Sequence, residues 1–351
     1  MDIVGKTEEN YNEKEVVKNL NEVKKNYSKK PNFKKEVLVF NHETAVRVWQ
    51  NETKSSSVLS ISLEQKWRRT PEGLGFFNNA CILNLKFNKT FSHCWTDSLR
   101  TLLRFDSESD YDVIFVPKTK QLSELIHSVK PKFKKIIFVS NSECFFAKKI
   151  TFELEGVFRR NIDDVRKIKN LVDSINQPCQ ANLFLYCTRN KGGNVLNGRL
   201  MEEDNEAKII ELSKRYCDDQ NLIFKIFDGN NPRGEKMSIR QQMDLFKRAK
   251  VIVGPHGGAF ANIISIQKGQ NAVVCEFTSG SNTCLQDIAH FGKNYNQILG
   301  FLPETYLKYY LIPFESGSNT ERTFIDIKNY QQFLQDIKIG SMNLKTKKTI
   351  F

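Results

Sequence analysis

No window of this 351-residue chain approaches the roughly 20 consecutive apolar residues that span a bilayer, so no membrane-crossing helix is expected in it. Residues 1–35 are rich in Lys, Glu and Asn and lack the apolar centre of a signal peptide. A polar arm or helix and a soluble, cytoplasmic setting are the expectation. The eight cysteines (Cys81, Cys94, Cys144, Cys179, Cys187, Cys217, Cys275 and Cys284) include no Cys-x-x-Cys pair, and no Cys/His cluster has zinc spacing. Cys187 and Cys275 lie in apolar runs and read as small buried hydrophobes. The Lys-Ser/Thr of a Walker loop is missing, as is the spacing of a dinucleotide fingerprint, which disfavours an ATPase or a nicotinamide enzyme. There is no internal repeat and no recognised nucleic-acid motif.

What is present is a basic, globular chain. Lys and Arg number 53 against 40 Asp and Glu, giving a net charge of +13, and 40% of residues are apolar. Such a charge favours phosphorylated small molecules, polyanions or anionic surfaces as partners. The length exceeds one usual core, so two domains are expected. The pattern divides the chain into an arm over 1–35, a first domain over 36–177, a second over 178–300, and a C-terminal extension over 301–351 with a returning helix and a Lys-rich tail.

Apolar runs predict strands at 37–40, 58–63, 81–85, 113–116 and 136–139, with helices near 96–105, 122–129 and 162–176. The last helix stops at Gln177-Pro178, a plausible junction. Beyond it, strands at 183–187, 222–227, 251–253 and 272–277 alternate with helices near 204–217, 238–249, 258–267 and 283–291. A further helix is expected near 326–337. Alternation of this kind predicts α/β architecture with parallel sheets and ligands at the carboxyl ends of strands.

Four clusters carry candidate chemistry. In 249–262 a β-branched strand runs into the turn Gly254-Pro-His-Gly-Gly258, followed by Ala259 and, at the end, Asn262. Gly257 and Gly258 let the backbone approach a ligand, and a helix start aims N–H groups at it. His256 can donate to a phosphate. Together they describe an anion site, with a diphosphate the expected occupant. Glu276, at the next strand end, can accept two ribose hydroxyls. Arg189, after the strand 183–187, offers a fork of donors suited to phosphate oxygens. His93 and Asp97 are four apart and share a helix face, where either can act as a general base. An N-cap role for Asp97 or Ser92 is the structural alternative. Asp110-Tyr-Asp112 is formally a DxD, but it precedes a strand rather than following one, as a turn would.

In this order the clusters resemble glycosyltransferase family 61, over about residues 80–300. The resemblance implies a GT-B-like enzyme, two Rossmann-like domains facing across a cleft. It implies inverting transfer of a sugar, commonly N-acetylglucosamine or xylose, from a UDP-sugar to a glycan or protein hydroxyl. No cofactor, no metal, no nucleic acid and no transmembrane segment are implied. By the same resemblance His256, Gly257 and Gly258 match the diphosphate-holding signature turn, and Asn262 closes it. Glu276 matches the acidic residue after the next strand. Arg189 and Asn197 match the Arg-rich loop, and Asp97 of the His93–Asp97 pair is the implied base. The turn reads Gly-Gly-Ala-Phe where the family has Gly-Ala-Gly-Leu, and Asn194 and Gly198 stand where an arginine and an acidic residue are usual. The alternative these changes leave is a nucleotide-sugar or glycan binder without catalysis. A nucleic-acid binder is the more distant one.

Overall fold

Val37–Asn41 (β1), Ala45–Glu52 (β2), Ser57–Glu64 (β3), Phe76–Asn84 (β4), Val113–Pro117 (β5), Ile136–Val139 (β6) and Glu143–Leu154 (β7) build a seven-stranded sheet. The computed structural model describes residues 37–41, 45–52, 57–64, 76–85, 91–139, 143–154, 162–190, 200–279, 307–316 and 322–338. The strand order is β3-β2-β7-β4-β5-β6, with β1 also on β7. β4, β5, β6 and β7 run parallel to one another, while β1 and β2 run antiparallel to β7. Ala80–Leu83 of β4 and Val113–Val116 of β5 are buried. Their unbroken apolar runs are those of strands covered on both faces. β5 lies to one side of β4 and β7 to the other, so the winding reverses at β4. A helical run follows: Phe91–His93 (α1), a π-helical Cys94–Leu99, then Arg100–Glu108 (α2). Lys120–Val129 (α3) is capped by Thr119, whose hydroxyl accepts from the Leu122 amide at 3.3 Å. Asp112 accepts from the amides of Asn78 and Asn79 at 2.9 and 2.8 Å, so this acidic residue staples the entry to β5.

The second sheet contains Leu183–Cys187 (β8), Ile223–Phe227 (β9), Ala249–Pro255 (β10), Ala272–Ser279 (β11), Leu307–Ser316 (β12) and Phe324–Ile325 (β13). Their order is β13-β12-β11-β10-β8-β9, parallel throughout except for β13. Taking β8 as strand one, the order runs two-one-three-four-five. That is a doubly wound sheet whose switch point lies between β8 and β10. One face packs Phe184, Tyr186, Val253, Cys275, Phe277, Tyr330 and Phe333. The other packs Leu185, Cys187, Ile252, Val274, Phe246, Phe260 and Ile263. Phe277 meets Tyr330 edge-on with centroids 5.9 Å apart, and Phe227 meets Phe246 at 5.1 Å. The helices are Ile162–Ile175 (α4), Glu203–Gln220 (α5), Ile239–Phe246 (α6) and Ile327–Asp336 (α7). Ser238 and Gln241 form the capping box that the sequence predicts.

The chain divides into two compact units, Met1–Arg159 and Arg160–Phe351. The expected junction at 177 thus falls earlier, because α4 packs on the Gly258–Ser265 helix of the second unit. Within the expected C-terminal extension, β12 pairs with β11 along eight residues and extends the sheet. The helix expected over 258–267 is a 3-10 helix, Gly258–Ser265. The helix expected from 96 begins at Phe91. The expected arm at 1–35, the helix at 283–291 and the Lys-rich tail beyond 338 lie outside the described residues.

Candidate functional site

In the second unit, the carboxyl ends of β8 and β10 meet at the switch point, where doubly wound sheets open a ligand crevice. Gly254 makes this possible. Its φ is +154°, and a Cβ there would lie 2.3 Å from the Cys187 carbonyl oxygen. β10 therefore passes against the end of β8 without a side chain between them. In the register of β10 with β11, Gly254 stands opposite Glu276. The His256 amide then donates to the Phe277 carbonyl at 2.8 Å, so the turn is tied to the neighbouring strand.

Three side chains converge on this turn. Arg189 Nη1 donates to the His256 carbonyl at 2.9 Å, crossing from the end of β8 to the end of β10. A Cβ on Gly257 would come within 2.6 Å of that same nitrogen. Gly257 has an extended φ of 178°, so its requirement is space for the guanidinium rather than backbone freedom. His256 Nδ1 lies 2.5 Å from Glu276 Oε1. A carboxylate accepts, so Nδ1 is the donor and the ring is fixed in orientation. Glu276 is 2% exposed. Its Oε1 faces the imidazole; the ribose contact expected for Glu276 in the sequence is an additional role for the same carboxylate. Gly258 opens the 3-10 helix, and Ala259 follows with its carbonyl accepting from Asn262 Nδ2 at 3.1 Å. Asn262 is buried and also donates to Gln242 at 3.0 Å, so it ties the 3-10 helix to α6 beneath the turn. Burial pushes the thiols of Cys187 and Cys275 upward, and the Glu276 charge adds to the shift. Both thiols are packed in the cores, Cys275 on one face of the sheet and Cys187 on the other.

Sequence reasoning missed the carboxylate bonded to the neighbours of Arg189. The buried carboxylate of Glu206, in the first turns of α5, accepts from the Thr188 hydroxyl and the Asn190 amide, both at 2.6 Å. Those residues flank Arg189 on either side. A glutamate inside an acidic, helix-starting stretch gives no sign in sequence that it turns inward. Asn197 lies outside the described residues, as do Asn194 and Gly198.

In the first unit, His93 and Asp97 are together. His93 Nδ1 donates to Asp97 Oδ2 at 2.5 Å, and Arg100 Nη2 lies 3.9 Å from Asp97 Oδ1. Side-chain exposure falls along the row, from 37% for His93 through 14% for Asp97 to 3% for Arg100. Asp97 sits inside the helical run, not at its N-cap. The pair lies on the π-helical segment and its entry, a local widening common at functional sites.

A family model described as Glycosyltransferase 61 matches residues 91–274, more than half of the chain. The match begins at the helix carrying His93 and ends in β11, just before Glu276. No curated protein matches this sequence. Among solved structures, one similar chain is the dodecameric iron-containing heptosyltransferase TibC, crystallised in complex with ADP-D-beta-D-heptose. It is 11% identical, with a TM-score of 0.32, over 68% of this chain and 75% of that one.

Proposed function

Since this chain belongs to the glycosyltransferase 61 family and is therefore a glycosyltransferase, we propose that it moves a sugar from a UDP-sugar to a hydroxyl of a glycan or protein. The observation that supports the donor site best is the bond from Arg189 to the His256 carbonyl across the β8/β10 switch point. It sets a guanidinium beside a glycine turn at the place where such sheets hold their ligands. In this reading the diphosphate meets the amides of the turn and the Arg189 fork. As the bond to the anomeric carbon breaks, the leaving UDP gains negative charge, and donors already in place stabilise it without reorganising. The charge comes from Arg189, so the reading assigns no step to a divalent cation. N-acetylglucosamine and xylose are the expected sugars.

In this reading the first unit supplies the base. Of the pair there, His93 is the outer member and Asp97 is held between His93 and the buried Arg100. Asp97 Oδ2 takes the bond from His93 Nδ1, and His93 is the more exposed of the pair. Proton uptake is therefore assigned to His93 Nε2 and orientation of the ring to Asp97. This reverses the role expected for Asp97 from the family resemblance. The acceptor oxygen attacks the face opposite UDP, which inverts the anomeric centre.

A transfer assay over a panel of UDP-sugars, run in EDTA with the product anomer read by NMR, tests the proposal. One UDP-sugar should give an inverted product. His93→Gln should lower kcat by about 10²-fold or more, in the range of general-base contributions. A retained anomer, or full activity in His93→Gln, contradicts the mechanism. No transfer across the panel with UDP still bound would favour the alternative of a non-catalytic binder, which the altered Arg-rich loop suggests.

A further inference from the structure

We propose that Glu206 is a positioning residue for the diphosphate grip, setting the direction of Arg189 from behind without touching the donor. The inference rests on the donor reading above. Burying a carboxylate is costly unless its oxygens are satisfied, and Glu206 is buried and satisfied by one group of neighbours. Its Oε1 accepts from the Tyr186 hydroxyl at 3.1 Å and the Thr188 hydroxyl at 2.6 Å. Its Oε2 accepts from Asn190 Nδ2 at 2.6 Å. All three donors belong to the end of β8 and the residues on either side of Arg189. Burial, then the Glu206 charge, pushes the Tyr186 phenol well up, so it stays a protonated donor at neutral pH.

Asn190 carries the hold further. Its side chain pairs with Met201 as a strand neighbour would: the Met201 amide donates to Asn190 Oδ1 at 3.0 Å, and Nδ2 donates to the Met201 carbonyl at 2.9 Å. The Asn190 amide in turn donates to Thr188 Oγ1 at 3.1 Å. The segment holding Met201 is itself bonded to the C-terminal part of the chain, with the Thr323 amide donating to the Leu200 carbonyl at 2.7 Å and the Glu202 amide to the Thr323 carbonyl at 2.8 Å. Backbone on both sides of Arg189 is thus fixed to one buried carboxylate, and the guanidinium is delivered to the His256 carbonyl. Charge-assisted bonds of this kind are the stronger ones.

A negative charge near an anion site opposes the anion, so charge and geometry predict opposite signs. By charge alone, Glu206→Gln tightens diphosphate binding. By positioning, it weakens binding, because the glutamine amide meets the Asn190 amide donor to donor. The test is calorimetric titration of UDP into wild type, Glu206→Gln, Arg189→Ala and the double variant, with far-UV melting as the fold check. We expect Glu206→Gln to weaken UDP binding about tenfold, the scale of one buried charged hydrogen bond. In the Arg189→Ala background the same change should cost less than about twofold, the mark of two residues acting through one contact. Thr188→Val, which removes the hydroxyl bonds to Glu206 and from the Asn190 backbone amide but leaves the carboxylate its Tyr186 and Asn190 side-chain donors, should show a smaller loss in the same direction and serves if Glu206→Gln fails to fold. Unchanged or tighter binding in Glu206→Gln, or an equal loss in both backgrounds, overturns the inference alone. Wild type that binds neither UDP nor inorganic pyrophosphate overturns the donor reading and the inference with it.

Discussion

Gly254 and Gly257 stand in the same turn and exclude a side chain for different reasons. At Gly254 the backbone itself is in the way: the φ of +154° disfavours other residues and the Cys187 carbonyl occupies the Cβ position. Gly254→Ala should therefore destabilise the protein by on the order of 3 kcal/mol, combining backbone strain with overpacking. Urea denaturation measures this, and an unchanged midpoint would refute the packing described. At Gly257 the obstacle is the far end of a flexible side chain, Arg189 Nη1. Gly257→Ala should fold normally, displace the guanidinium and weaken UDP binding about tenfold, equivalent to one lost charged hydrogen bond. If calorimetry shows equal affinity, Arg189 is not part of the grip. The placement of the glycine turn, His256 and Arg189 at strand ends was legible in sequence because the apolar runs of β8 and β10 stop just before them. Glu206 was not, since inward and outward glutamates look alike until the neighbouring loop is placed.

Elements whose apolar period matches their burial were legible in the sequence. β6 and β8 occupy the expected residues, and α4 and α5 differ by a few positions. β7 was missed because Lys148 and Lys149 interrupt its apolar run, although it pairs with β1, β2 and β4. β12 was missed because Pro313 argues against a strand interior, yet it sits between β11 and β13. The 3-10 helix after the turn also differs from expectation: six of its eight residues, Phe260–Ser265, are buried, so packing and not propensity shapes it. The capping box at Ser238 offers an element-scale control. Ser238→Ala should cost about 1 kcal/mol of stability and leave UDP affinity unchanged, as read by urea denaturation and calorimetry. A large loss of affinity would mean that α6, through Gln242 and Asn262, shapes the turn more than Arg189 does.

At the scale of the whole molecule, both units place their candidate residues by the same device. His93 and Asp97 follow β4, where the first sheet reverses its winding; Arg189 and His256 follow β8 and β10, where the second does. The candidate residues thus sit where strands end, while the central strands of both sheets stay buried. Cys187 and Cys275 report on that burial. With their thiols pushed up by desolvation, iodoacetamide at pH 8 should leave both unmodified in the native protein and modify them at the rate of global unfolding. Labelling by peptide mass spectrometry at low denaturant, faster than unfolding, would show that the second sheet opens locally.

The most direct measurement of the account is titration of UDP into wild type and into Arg189→Ala. The account predicts saturable binding by wild type and a loss of about 10-fold to 100-fold in the variant, the scale of one or two charge-assisted hydrogen bonds. Equal affinity in the two proteins, with both folded, would contradict it.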